Sequence, residues 1–206
     1  ADTPEVWREV DALLDREWKR KNGMKMRIMA TFIDSGGHFT DEVYAECKKR
    51  QNRRIWPIKG EPGEGKPYVQ LMKKNKGNTI GFMIGVDAGK EAIMYSSTIE
   101  QPGPRYMHFP RDYRAGYDMG YFRGLISEKM VIHRKMGRNT IAWEVTYLRN
   151  EPLDMRNYAR AAYRYFNWDF DKAERTLNGI SDEKPITRAQ AEKKKRKTVV
   201  SSGIKV

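Results

Sequence analysis

The chain has 206 residues, which is enough for one sizeable hydrophobic core, and its formal net charge is +13. This positive excess favours polyanionic partners, nucleic acid before membranes. The single cysteine, Cys47, excludes an internal disulfide framework and is typical of a reducing cytoplasm; we expect it on a helix, facing the core. Because no apolar run approaches the roughly 20 residues of a membrane span, and no charged-then-apolar leader is present, we expect a soluble protein.

The first predicted element is a helix that begins at Thr3-Pro4, with Thr3 as its N-cap. Apolar residues recur on one face as far as Trp18, and Asn22-Gly23 suits the left-handed end of such a helix. Since the chain opens on this helix without an initiator Met, we expect it to be a piece of a longer protein. A strand from Met26 to Asp34 follows, and its apolar residues predict burial on both faces.

Asp34 is the first candidate site residue, because it ends this strand and precedes Ser35-Gly36-Gly37. Glycines allow positive φ and close backbone approach, and ligands of open α/β sheets bind outside the carboxyl ends of the strands. The same local sequence is equally typical of an Asx turn, in which Asp34 only satisfies its own backbone. The residues alone leave both interpretations open.

The next two elements are a helix and a strand. Thr40 is the expected N-cap of the helix, whose acidic first turn and basic last turn suit the helix dipole. The strand covers residues 53–59, and Pro57 predicts an edge position or a strand end. Helix, strand, helix, strand in this order predicts an α/β sheet with parallel neighbours.

The segment from Gly60 to Lys66 matches the spacing of a phosphate-binding loop as far as its lysine. Pro67 then stands where a hydroxyl residue would hold magnesium, and a strand-like segment follows instead of a helix. We therefore expect a basic loop here and no nucleotide site.

Asp87 precedes a helical pattern that runs to about Ser97, and we expect it to be a helix N-cap more readily than a ligand. A β-hairpin is predicted around Met136–Asn139. The other predicted elements are strands at 68–72 and 80–86, a loop at 100–120, and helices at 121–127, 151–167 and 169–178.

Asp154 is the second candidate carboxylate, and it lies in the first turn of the helix that Pro152 starts. Its other interpretation is an acid placed for the helix dipole, although Glu151 already serves that purpose. Spacing alone does not show that Asp34 and Asp154 meet, since 119 residues separate them. His38, His108, Lys59 and Glu128 are weaker candidates, for metal, phosphate or proton transfer.

Taken together, several short segments resemble the C-terminal nuclease part of the large terminase subunit of lambda-type tailed phages. They occur in the order of that family and cover residues 3 to about 165. They are Ile33-Asp-Ser-Gly-Gly37, Val43-Tyr44, Pro57-Ile-Lys-Gly60, Ile84-Gly-Val-Asp87-Ala-Gly-Lys90, His108-Phe-Pro110, Leu125-Ile-Ser-Glu128, Arg149-Asn-Glu-Pro-Leu-Asp154 and Tyr158-Ala159.

The resemblance implies an RNase H-like α/β fold, a mixed sheet flanked by helices with a C-terminal β-hairpin and a closing helix. It implies cleavage of double-stranded DNA by two Mg²⁺ or Mn²⁺ ions. Asp34 would be the carboxylate of the central parallel strand and Asp154 that of the closing helix, both catalytic and metal-binding. Apart from the resemblance, Asp87 or Glu128 is a weaker candidate for a further metal ligand, and Glu128 can equally be a residue at the entry of the hairpin. The residues expected at the DNA are Lys59, Lys66, Lys73, Lys74 and His38.

The family also implies a terminase small subunit and a portal as partners, no membrane, and the host cytoplasm as location. In that family, the first metal-binding Asp lies upstream of the helix that corresponds to residues 3–22, so we expect this chain to lack one carboxylate, part of its sheet and the ATPase half. We expect a nuclease domain at 1–180 and a basic, disordered tail at 181–206. The alternative function is a noncatalytic DNA-binding or portal-docking module.

Overall fold

A computed structural model describes residues 4–73, 78–135, 137–166 and 169–180, in two units, Ala1–Phe166 and Asn167–Val206. The second unit contains α6 (Phe170–Leu177), whose N-cap Asp169 accepts a hydrogen bond from the Lys172 amide. The predicted basic tail lies outside the described residues. The helices of the first unit are α1 (Pro4–Leu14), α2 (Thr40–Lys49), α3 (Val86–Ser97), α4 (Met119–Leu125) and α5 (Glu151–Tyr165).

The described strands form a four-stranded mixed sheet and two hairpins, so the predicted class, a mixed α/β sheet flanked by helices, is confirmed. In the sheet, β3, β4 and β6 are parallel, and β5 pairs with β6 antiparallel at one edge. The strands are β1 (Trp18–Lys19), β2 (Lys25–Met26), β3 (Thr31–Asp34), β4 (Ile55–Glu61), β5 (Val69–Leu71), β6 (Phe82–Gly85), β7 (Glu128–Lys135) and β8 (Arg138–Val145).

The two faces of β4 bury alternate side chains, as the period of a strand requires. On one face, Trp56 and Ile58 join a buried cluster that includes Ala161 of α5. On the other face, Ile55 packs with Trp7 of α1 and with the helix α2. Cys47 of α2 is fully buried in this second cluster, which confirms its predicted place in the core.

The prediction of one long first helix is wrong, since α1 ends at Leu14. Trp18 lies instead on β1, which pairs with β2 in a short hairpin. Gly23 has φ +82° in the turn of this hairpin. Its sequence signal was ambiguous, because the left-handed conformation that ends a helix serves a tight turn equally well. Glu17 stabilises the hairpin through ion pairs with Lys25 and Arg27.

The prediction of a central first strand, covered on both faces, is also wrong. Among the described strands β3 pairs only with β4, and its side chains from Thr31 to Ile33 are half-buried. Conversely, β4 lies between β3 and β6 although it contains Pro57. The ladder between β4 and β6 begins at Ile58, so the missing N–H of Pro57 removes no bond with β6.

Two predicted helix caps are wrong because each helix begins at a different residue. Helix α3 begins at Val86 with Gly85 as N-cap, which places Asp87 inside the first turn. Helix α2 has Phe39 as N-cap, and the Thr40 hydroxyl donates to the carbonyls of Ser35 and Gly37 instead.

The hairpin of β7 and β8 confirms the prediction for this region, with a shorter turn than expected. Lys135 pairs with Arg138, so the strands extend further than predicted, and Gly137 has φ +77°. The α5 and α6 helices were both predicted. Within the described part of the chain, no helix combines the length and the apolar composition that crossing a membrane requires.

Candidate active site

Asp34 lies at the carboxyl end of β3, and its side chain is exposed. Oδ1 accepts a hydrogen bond of 2.8 Å from the Gly36 amide, so the Asx turn is present. The next residue, Ser35, is buried and donates from its hydroxyl to the Ile58 carbonyl at 2.7 Å, which anchors the turn on β4. The described residues give Oδ2 no hydrogen bond, so the turn leaves that oxygen available to a ligand.

Asp154 lies in the first turn of α5, after Pro152, and is half-buried. Burial is the main cause that raises the pKa of Asp154. The positive charge of Lys90 lowers it, and the negative charges of Glu128 and Asp34 raise it further. The fold therefore brings Asp34 and Asp154 close enough for their charges to interact.

Glu128, the first residue of β7, is 6% exposed and forms part of the same cluster. Its Oε2 accepts from Lys90 Nζ at 2.6 Å. Asn150 Nδ2 donates to Glu128 Oε1 at 3.3 Å and to Asp154 Oδ2 at 3.4 Å, and so links the two carboxylates. The sequence did not single out Lys90 or Asn150, because no local spacing relates Lys90 on α3 to Glu128, 38 residues later.

Tyr158 lies one turn after Asp154 on α5. Burial raises the pKa of Tyr158, and the charges of Asp34 and Asp154 raise it further, so the phenol keeps its proton at neutral pH. A side chain at Gly60 would bring its Cβ within 3.1 Å of the Tyr158 hydroxyl, so glycine is what lets this phenol lie against β4. The i, i+4 spacing of Asp154 and Tyr158 was the available sequence signal.

The remaining candidates are dispersed. Asp87 Oδ2 accepts from the Gly63 amide at 3.1 Å, and Lys66 Nζ pairs with Glu61 at 2.6 Å. Strand β5 follows Pro67 after one residue, where a phosphate-binding loop would have a helix. Lys59 is half-buried on β4, whereas Lys73, His38 and His108 are exposed. The His108 ring contacts the Tyr106 ring, and Lys74 lies outside the described residues.

The donor chemistry of the cluster fits a hard divalent cation, since carboxylate and amide oxygens are the ligands that Mg²⁺ and Mn²⁺ prefer. A cation would also relieve the repulsion from Glu128 and Asp34, which adds to the effect of burial on the pKa of Asp154. Among the described residues, however, no group of three or more His, Cys, Asp or Glu is arranged to hold a metal ion. Asp34 and Asp154 thus offer suitable donor atoms for a hard cation, without a third carboxylate in place among the described residues.

Comparisons with known proteins agree on one family. The protein-family model described as terminase large subunit gpA, endonuclease domain, matches residues 1–175. The terminase large subunit of Escherichia phage lambda is 33% identical over 177 residues, which cover 82% of this chain and 28% of the phage protein. That of Enterobacteria phage P21 is 29% identical over 181 residues, with 84% and 28% covered. The chain thus spans 28% of the length of these relatives, and no solved structure matches it.

Proposed function

The chain belongs to the family of the terminase large subunit gpA endonuclease domain, and on this premise we propose that it hydrolyses phosphodiester bonds of double-stranded DNA with divalent metal ions. The observation that carries the proposal is the placement of two carboxylates beside the sheet, Asp34 at the carboxyl end of β3 and Asp154 in the first turn of α5, which packs on that sheet. We also propose an RNase H-like arrangement of the fold. The parallel order of β3, β4 and β6, with helices on both faces, supports it.

In this proposal, Asp34 Oδ2 and the Asp154 carboxylate hold the metal. Bound Mg²⁺ or Mn²⁺, two ions by analogy with the family, would activate water and stabilise negative charge on the phosphate. Asn150 orients Asp154 through its hydrogen bond to Oδ2. Tyr158, which keeps its proton, can donate a hydrogen bond to a phosphate oxygen beside the two carboxylates.

The DNA would be held mainly through its phosphates, because the chain is strongly basic. Lys59, Lys73 and His38 are the described candidates for these contacts, while Lys66 would first have to leave Glu61. A terminase small subunit, a portal and the host cytoplasm are proposals that come from the family alone.

Substitution of each carboxylate tests the reaction. We expect Asp34→Asn and Asp154→Asn each to reduce Mg²⁺- or Mn²⁺-dependent nicking of supercoiled plasmid by about 100-fold or more. Losses of this size are typical when one preorganised electrostatic group is removed from an active site. The assay compares this chain with the intact large subunit. Asp171→Asn, an exposed change on α6, is the matched control. Cleavage that survives in either site variant would remove that residue from the mechanism.

The second candidate function is a noncatalytic DNA-binding module, which the missing third ligand among the described residues favours. In that case, neither this chain nor the intact subunit would nick DNA. Binding of duplex DNA would then be the same for the wild type and for Asp34→Asn, and an electrophoretic mobility assay on the same samples separates the two functions.

A further inference from the structure

Helix α3 carries a lysine into the carboxylate cluster. Lys90 Nζ lies 2.6 Å from Glu128 Oε2, and the two side chains are only 12% and 5% exposed. The same ammonium lies 5.7 Å from the centre of the Trp143 ring. A charge with so little access to water requires compensation by neighbouring groups, and Glu128 provides it.

Both carboxylate oxygens of Glu128 are already used. Oε2 accepts from Lys90, and Oε1 accepts from Asn150. Asn150 also donates to Asp154, so this amide links Glu128 to the candidate metal ligand. Asp34 differs from Glu128, since it is exposed and keeps one oxygen without a hydrogen bond from the described residues.

We propose that Lys90 is a positioning residue that neutralises Glu128, prevents it from becoming a metal ligand and reserves Asp34 and Asp154 for the metal. This inference rests on the proposed function. It also revises the sequence-based expectation that Glu128 is a metal ligand, because Glu128 would instead balance the charge of Lys90. The positive charge of Lys90 then opposes cation binding at Asp154, and Glu128 offsets that opposition.

A purely structural ion pair would behave differently from this charge-balancing pair. Loss of a structural pair lowers stability and leaves metal affinity unchanged. Loss of the charge-balancing cation leaves an uncompensated carboxylate beside Asp154, and therefore strengthens the attraction for a divalent cation. Metal affinity, measured without DNA, distinguishes the two.

The experiment is calorimetric titration of the purified chain with Mn²⁺ alone. We expect Lys90→Met to bind Mn²⁺ at least about tenfold more tightly than the wild type, and Lys90→Arg to stay close to it. Glu128→Gln should bind at least about tenfold more weakly, because Lys90 is then unbalanced. The double variant Lys90→Met/Glu128→Gln should return to the wild-type affinity.

The double variant keeps the proposal falsifiable if Lys90→Met does not fold, because it removes both buried charges together. Weak Mn²⁺ binding by the folded double variant would mean that Glu128 is itself a ligand, and would overturn the inference. Wild-type affinity in Lys90→Met would overturn it too, since the pair would be merely structural. The exposed Lys21→Met controls for the loss of one positive charge. Absence of Mn²⁺ binding by the wild type would refute the proposed metal site as well.

Discussion

At the scale of single residues, the position of Asp154 carries an energetic cost for its ionised form. Burial and the neighbouring negative charges of Glu128 and Asp34 raise its pKa above the ordinary value of 3.8. The folded chain therefore holds this proton more tightly than the unfolded chain does. Stability is unaffected below the ordinary pKa and falls as the pH rises toward the raised pKa, where the folded state must carry the charge.

Asp154→Asn should remove this cost. In metal-free buffer, we expect the melting temperature of the variant to exceed that of the wild type by about 2 °C or more at neutral pH, with a difference that shrinks toward about pH 4. Differential scanning fluorimetry over a pH series measures it. The control Asp171→Asn reports the effect of losing one exposed negative charge elsewhere in the chain. A variant that is less stable than the wild type at neutral pH would contradict the assigned sign.

At the scale of elements, the crossing of α3 and α5 places Lys90 near Asp154. A Cβ on Gly89 would lie 1.7 Å from Asn157 Oδ1 and 2.6 Å from Tyr68 Cε2. Asn157 cannot easily move away, because it is fully buried and its Nδ2 donates to the Val86 carbonyl at 3.0 Å. The close approach of the two helices therefore depends on glycine at this position.

Gly89→Ala should destabilise the chain by about 2 kcal/mol or more, as overpacking of a tight contact does. This outcome opposes helix propensity, which favours alanine over glycine by about 1 kcal/mol. Urea denaturation followed by tryptophan fluorescence gives the free energy of unfolding. Gly103→Ala is the matched control, since nothing lies within 4 Å of its added Cβ. An unchanged or raised stability in Gly89→Ala would disprove the tight crossing.

At the scale of the whole molecule, positive charge is distributed over both residues 1–180 and residues 181–206. Residues 181–206 contain eight Lys or Arg and three Asp or Glu, which leaves a net charge of +8 on residues 1–180. Contacts with DNA phosphates release counterions, so such binding weakens steeply as salt is added and depends little on base sequence.

Truncation after residue 180 should weaken duplex binding without abolishing it, because most of the net charge remains. The slope of log K against log salt should become shallower by about 0.9 for each lost phosphate contact. Fluorescence anisotropy at several salt concentrations, on two duplexes of unrelated sequence, measures both effects. Complete loss of binding would instead assign the DNA interaction to the tail, as the noncatalytic alternative requires.

The sequence by itself determined the α/β class and most strand and helix positions after residue 40, and it singled out Asp34 and Asp154 as candidates. These features depend on local causes: periodic apolar residues, turn glycines and the proline at the start of α5. It failed at the end of α1 because Gly23 suits a helix end and a hairpin turn equally.

Only the tertiary structure decided that β4 is central despite Pro57, that the charge of Asp34 acts on Asp154, and that Lys90 pairs with Glu128. The physical reason is that each depends on groups far apart in the chain. Strand order follows from which faces are buried together, and the charge around a carboxylate follows from which helices cross beside it. The spacing of neighbouring residues encodes neither.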